Sequence, residues 1–575
     1  MSEIKPFHVT YGSIFNKGNL RSLLIPAFQR NYVWKKTRIE DLINSIYKNN
    51  SDFYTGNIMI MCAPEGSADN DYIVDGQQRM VTISLILNYL KNNSDLNKEE
   101  ISRLLYIEDE PRICFKRKLV NDAYRDMLAG NETIGEAAEF RKLFNTANTV
   151  IAKKFNDTDI SEFYKNLLNI NFVIIKLPKD FNVFSIFESL NSKNTPLTPV
   201  ELTKNTLLGY ADNMDKKVSL KIESLWEKIQ RTFEKGKRGK EFDTFLRYRS
   251  FQDYGHIYSS AVFPKISKDK EIKENPLKFS QDLLEDSKLW LAIREGKFEP
   301  SDESQLDSLS EIPAYQSHFK SLNLIQVYSV IFFLHKALKK IPEYKKKNFF
   351  ENDLKKLLAF SILAKVVGIG PQMYEKIYGN AAHAIATAPS KTLFNKARKE
   401  MFDGLNKLAK EEDRKKFSVN LRNKICYKDQ EKDKSVSLYE NSAFISDLLV
   451  WSQKGELINK ATIEHIIPKG TTWKDEWGHI KLRSLDERFT LGNFTILRHD
   501  KALDLSFEKK LEHYAKDEYS DLEINKFILD REHEHHQVFL KEDPRKGLDK
   551  RGEVVAGWIF DALKECLSDK YLKVK

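Results

Sequence analysis

Strand-like patterning is confined to the two ends of this chain, while over about 197–443 the apolar residues recur almost wholly at helical spacing. The 575 residues exceed what one core ordinarily serves, and length alone suggests about three or four domains. The expected class is a multidomain, predominantly helical α+β protein. It divides into an N-terminal α/β domain over 1–210, a helical linker domain over 211–440 and a final strand–strand–helix module over 441–575. With 41% apolar and 31% charged residues, such a chain can fill packed interiors and keep a solvated exterior.

Several function classes drop out early. Residues 1–10 contain no apolar run of the kind that marks a secretory signal. The longest apolar stretch, 327–334, is interrupted by Ser329 and is too short to span a bilayer. A cytoplasmic protein without a membrane partner is expected. The four cysteines, Cys62, Cys114, Cys426 and Cys566, show no metal-ligand spacing and read as reduced thiols. A net charge of +10 leans towards a polyanionic partner, because neutralising phosphates releases condensed counterions.

Local patterns fill in the frame. Ile39, Leu42, Ile43 and Ile46 make one helix face, and 80–90 and 183–190 read as further helices. Strands are expected at 58–62, 72–74 and 171–177, with mainly polar helices over 92–165. The segments 321–340 and 352–367 read as amphipathic core helices.

Near Ala461 the texture changes. Thr462-Ile463-Glu464-His465-Ile466-Ile467-Pro468 sets an acid beside a histidine at a strand end, and Leu491-Gly492-Asn493 turns into a second strand. His499 follows, then a helix carrying Phe507, Lys510 and Tyr514. Phosphodiester hydrolysis needs a base to activate water and a cation to stabilise the phosphorane and the leaving oxygen. A neutral imidazole at His465 suits the first task, with Asn493 fixing its ring. Glu464 and a group from the following helix suit a single divalent ion, Mg²⁺ or Mn²⁺, though Ni²⁺ or Zn²⁺ also accept imidazole. His499 is the nearby imidazole that completes a literal His–Asn–His set. His533, His535 and His536 read instead as an exposed helix, and His479 and His513 as structural.

At the other end, Ile25-Pro26-Ala27-Phe28-Gln29-Arg30-Asn31-Tyr32-Val33-Trp34 precedes a helix, and Tyr72-Ile73-Val74-Asp75-Gly76-Gln77-Gln78-Arg79 runs from strand through turn to helix start. Gly76 at such a turn lets backbone N–H groups approach an anion. Arg79 can clamp a phosphate, and Asp75 can hold a metal or a water. The chain has no Gly-x-x-x-x-Gly-Lys-Ser/Thr, so this is not a P-loop.

Taken together, Phe-Gln-Arg-x-Tyr-x-Trp, Asp-Gly-Gln-Gln-Arg and the later Phe187-Glu188-Ser189-Leu190-Asn191-Ser192 resemble the ParB-like N-terminal domain of GmrSD-type restriction proteins. Glu-His-Ile-x-Pro, Leu-Gly-Asn-x-Thr-x-Leu and Phe-x-Lys-Lys resemble the HNH nuclease domain of the same type. The resemblance implies nucleoside triphosphate binding and hydrolysis (ATP, GTP or CTP) by Gln29, Arg30, Tyr32, Trp34, Asp75, Gly76, Gln77, Gln78, Arg79, Asn191 and Lys204. It also implies Glu464 as a metal ligand, His465 as general base and Asn493 as the middle residue. Family members carry Arg-Gly where this chain has Lys193-Asn194, and an asparagine three residues before the Phe, where this chain has Asp504. Asp504 and His499 both stand as the third nuclease residue, with Asp500 a more distant rival.

The expected protein is a modification-dependent DNA endonuclease of prokaryotic anti-phage defence, acting on modified phage DNA under nucleotide control. The alternatives are a ParB-like DNA-binding regulator with a degenerate nuclease module, and an RNase or toxin using the same centre. Double-strand cleavage would favour a homodimer or sequential nicks, since one HNH site cuts one strand at a time.

Overall fold

A computed structural model of the chain describes residues 5–16, 20, 22–26, 29, 32–48, 53–61, 71–155, 159–177, 198–212, 214–234, 239–295, 312–346, 349–426, 442–455, 461–468, 477, 480, 490–498 and 505–568. They fall into two compact units, one of residues 1–243 with 263–284, the other of 244–262 with 285–575. Among the described residues no helix is long and apolar enough to cross a membrane. The fold is mostly helical, with a mixed six-stranded sheet in the first unit and a two-stranded sheet in the second.

The first unit is built on six strands: β1 (Lys5–Thr10), β2 (Leu23–Ile25), β3 (Tyr54–Met61), β4 (Asp71–Asp75), β5 (Ile113–Phe115) and β6 (Asn171–Leu177). Their order across the sheet is β1-β6-β3-β4-β2-β5. β2 runs parallel to both β4 and β5, β3 parallel to β6, and β1 and β4 antiparallel to their β6 and β3 neighbours. The strands expected at 58–62, 72–74 and 171–177 are β3, β4 and β6. β1, β2 and β5 had no sequence signal of their own.

Helix α1 (Lys36–Lys48) buries Ile39, Leu42, Ile43 and Ile46, the one face its spacing predicts. Helix α2 (Gln77–Asn93) is buried on nearly every side, including Gln77, Gln78, Thr82, Ser84 and Asn88. A helix wrapped in this way runs through the middle of a core rather than along its surface. It packs against α3 (Ala138–Phe155). Further on, α4 (Pro199–Asp212) packs on α5 (Lys216–Glu234) and sets Leu202 against Met59, Val74 and Leu177 of the sheet.

The second unit is a helical array with a small sheet at its end. Its helices include α6 (Val327–Lys340), α7 (Phe349–Val367), α8 (Pro371–Thr387), α9 (Lys391–Leu408), α10 (Arg414–Cys426) and α11 (Ser442–Lys454). The single helix expected over 321–340 is broken in the structure. Asn323 takes φ 51°, a left-handed conformation that asparagine tolerates better than most residues, and α6 begins after it. Strands β7 (Thr462–His465) and β8 (Phe494–Leu497) follow, then α12 (Phe507–Tyr514), α13 (Glu523–Leu529), α14 (Glu534–Gln537) and α15 (Arg545–Leu567). The last helix packs on α7, α10 and α11. The helix expected at 183–190 and the turn holding Asn191 and Lys193-Asn194 lie outside the described residues.

Candidate functional site

Strands β7 and β8 pair antiparallel, with His465 opposite Phe494 and Glu464 opposite Thr495. Successive strand residues leave on opposite faces, and the contacts divide accordingly. His465 sets its ring edge-on against Phe494, centroids 4.8 Å apart. Glu464 faces α12, where its Oε1 accepts from the Lys510 ammonium and, at 3.4 Å, from the Tyr514 hydroxyl. The same ammonium donates to the His465 carbonyl oxygen at 2.7 Å. Phe507, Lys510 and Tyr514 stand at i, i+3 and i+7, so one helix face supplies all three.

This node is buried: Glu464 is 1% exposed, Lys510 0% and His465 3%. Two opposite charges taken out of water need each other as partners, and Lys510 and Glu464 form such a pair. Burial first, and the neighbouring carboxylate second, hold the Tyr514 hydroxyl far above its ordinary titration range.

Asn493 ends the turn Leu491–Asn493 and is fully buried. Its carboxamide grips the main chain just past His465, accepting from the Ile467 N–H at 2.8 Å and donating to the Ile467 carbonyl at 3.0 Å. The Ile466 N–H donates to the Asn493 carbonyl at 3.0 Å. The residue expected to fix the imidazole ring thus clamps the backbone two residues after it.

Glu464 and His465 offer carboxylate and imidazole donors suited to a divalent ion. Among the described residues, however, no group of three or more His, Cys, Asp or Glu side chains gathers, and Lys510 already sits on Glu464. The described residues alone therefore do not make a complete metal cage. His499, Asp500 and Asp504, from which a further ligand was expected, lie outside them, as does His479.

The expected exposed helix at 533–536 is corrected by the structure. His535 and His536 are buried in a four-residue helix at a tight corner, and His533 stacks on Phe527 with centroids 4.1 Å apart. The His536 Nδ1 donates to the Ile528 carbonyl at 2.6 Å. Burial, reinforced by the Arg551 and His533 charges, pushes His535 down to about 4, and burial does the same to His335 on α6. The fold keeps both rings neutral, so the unfolded chain binds protons first as pH falls. Stability is present above pH 6.5 and is lost as pH drops towards 4, at most about 1.4 kcal/mol per pH unit per ring. His535→Gln should therefore flatten the denaturation-midpoint curve over that window by one proton's share; an unchanged slope would contradict a neutral His535.

Two residues here were not found from sequence. Lys510 was on the helix face already recognised, but nothing in the pattern said that it binds Glu464. Arg551 on α15 had no signal at all. It is fully buried and donates to the carbonyls of Gly492 (2.6 Å), Phe494 (2.9 Å) and Ile524 (3.3 Å).

In the first unit, β4 runs through Gly76 into α2. Gly76 caps the helix at φ 95°, a conformation that favours glycine. Gln29 donates to the Val74 carbonyl at 2.7 Å, Gln78 accepts from the Val33 N–H at 2.8 Å, and the Tyr32 hydroxyl meets Thr82 at 2.8 Å. Burial pushes Tyr32 up to about 12. Gln29, Tyr32 and Gln78 thus weld the aromatic segment to the turn. Gln77 and Lys204 are buried as well, and Trp34, Asp75 and Arg79 are half-buried.

Arg79 lays its guanidinium over Gly56, 3.1 Å from where a β-carbon would stand, and donates to the Asn57 carbonyl at 3.1 Å. Burial draws its pKa down, while Asp75 and Tyr54 act the other way. Arg30 and Asn191 lie outside the described residues.

The geometry defines a mixed-sheet domain with a strand–glycine–helix turn, on a chain that ends in a strand–turn–strand–helix module. Residues 11–208 match the family model described as the GmrSD restriction endonuclease, N-terminal domain. That segment of the chain is similar to the N-terminal domain of GmrSD-type restriction endonucleases. No curated protein matches the chain.

Proposed function

We propose that the chain is a modification-dependent DNA endonuclease whose HNH-type site is governed by nucleotide binding and hydrolysis in its N-terminal domain. One observation carries the reading: on a chain with a restriction-endonuclease N-terminal domain, the Glu-His strand end and the Asn turn meet in a single buried node. In this reading His465 takes the proton as a water oxygen attacks phosphorus and the phosphorus–oxygen bond to the departing strand end breaks. Asn493 holds the backbone after His465, and Lys510 holds both the Glu464 carboxylate and the His465 carbonyl. Mg²⁺ or Mn²⁺ belongs to the proposal, with Glu464 as one ligand and the others sought in 499–504.

The N-terminal part of the proposal concerns ATP, GTP or CTP, read by the Asp75–Arg79 turn. Arg79→Ala should weaken nucleotide binding about tenfold to a hundredfold, the worth of one charge-assisted contact. Unchanged affinity by titration calorimetry would reduce the turn to a structural feature.

The decisive experiment incubates the protein with matched modified and unmodified phage DNA, with Mg²⁺ or Mn²⁺ and with each nucleotide in turn. Cleavage confined to modified DNA is the expected result. Plasmid left supercoiled under every condition would point to a DNA-binding regulator, and degradation of RNA alone to a ribonuclease. A dimer is expected if both strands are cut together.

A further inference from the structure

A buried arginine without a carboxylate is costly, and among the described residues none pairs with Arg551. Its guanidinium hydrogen-bonds to carbonyl oxygens and lies over the Phe539 ring, 5.9 Å from its centroid, and burial lowers its pKa to about 9 against the opposing effect of Tyr514. A hydrophobic side chain would fill the same space at lower cost. The arginine fork is suited to joining several acceptors at fixed angles.

Those acceptors belong to separate elements. The Gly492 and Phe494 carbonyls bracket Asn493, and the third, from Ile524, is on α13. Asn493 in turn holds both main-chain groups of Ile467 and the N–H of Ile466. A continuous run of hydrogen bonds therefore leads from α15 through the turn to the backbone that follows His465.

The contact is close because glycine faces glycine-bearing helix. A β-carbon on Gly492 would stand 1.9 Å from the Leu548 carbonyl oxygen, and one on Gly552 would stand 3.3 Å from the Gly492 nitrogen. Farther along, α15 is tied to the helical array. Arg414, the first residue of α10, pairs bidentately with Asp561 at 2.8 Å, and Lys564 donates to the Asn406 side chain at 2.6 Å.

We propose that Arg551 is the positioning residue of the nuclease site: it sets the turn presenting Asn493, and through it the backbone that carries His465. The inference rests on the nuclease reading above. Its role is to hold geometry, so its loss should reduce turnover more than DNA binding.

The test compares full-length wild type, Arg551→Met, Arg551→Lys and, as a control that removes the ion pair between α10 and Asp561 of α15, Arg414→Ala. Hydrogen exchange is followed by mass spectrometry beside steady-state cleavage. In Arg551→Met, peptides covering 461–468 and 490–498 should exchange roughly tenfold faster, with those of α6 and α8 unchanged. Turnover should fall about a hundredfold while KM for DNA stays within about twofold, as a misplaced reacting group predicts. Arg551→Lys, which keeps the charge but cannot span three carbonyls, should fall between; Arg414→Ala should leave 461–468 unchanged.

If Arg551→Met loses protection throughout the second unit, Arg551→Lys decides: faster exchange confined to 461–468 and 490–498 supports the role. No change there in Arg551→Lys, or equal acceleration everywhere, overturns it. A wild type that cuts no DNA defeats the nuclease reading instead, while the exchange data still decide whether Arg551 sets the turn.

Discussion

His465→Ala should abolish DNA cleavage and leave nucleotide turnover at the wild-type rate. A positioned general base contributes about 10²–10⁴-fold to a hydrolytic step, and no neighbouring side chain in the described node can replace it. Glu464 faces α12, and its Oε1 is engaged by Lys510. Asn493 and Lys510 are committed to backbone and carboxylate contacts. The proposed nucleotide site belongs to the other unit, so turnover there is the internal control for folding. Nicking that persists undiminished in the purified variant would remove His465 from the chemistry.

The second large effect is structural. Gly492→Ala drives a β-carbon to 1.9 Å from the Leu548 carbonyl oxygen and 2.7 Å from its carbon. Both are main-chain atoms of α15, so no rotamer change relieves the clash; either the helix or the turn must move. Overpacking of this kind costs about 3 kcal/mol or more. It also breaks the register in which Arg551 holds the turn, so cleavage should disappear with the stability. Gly404→Ala is the contrast. There the nearest neighbours of the new β-carbon are side-chain atoms of Ile377, the first at 3.3 Å, and alanine gains up to about 1 kcal/mol of helix propensity. Chemical denaturation should show a large loss for the first and little change or a small gain for the second. Equal, small effects in both would mean that α15 does not press on the turn.

The proposed site was legible wherever chemistry and chain order coincide. Glu464 and His465 are neighbours in sequence, and Asn493 sits in a turn signalled by Gly492. Phe507, Lys510 and Tyr514 share a helix face that spacing alone predicts. Contacts that depend on distant segments were not legible. Lys510 reaches Glu464 across 46 positions, and Arg551 reaches Gly492 across 59. The histidines at 533–536 misled for a related reason: a short charged segment reads as solvated, yet a corner between α13 and α15 buries His535 and His536.

Sequence by itself determined the mixed α+β character, the face of α1, the strands β3, β4 and β6, and the order in which the chemical groups follow one another. Each is set by local periodicity or by residue type. The tertiary structure alone decided that β1, β2 and β5 join the large sheet, since short strands owe their form to partners far along the chain. It alone made Gly492 a site of close approach as well as a turn. It also turned Arg551 from one basic residue among many into the buried link between the last helix and the Asn493 turn, because hydrogen bonds to backbone carbonyls leave no trace in the residues that supply them.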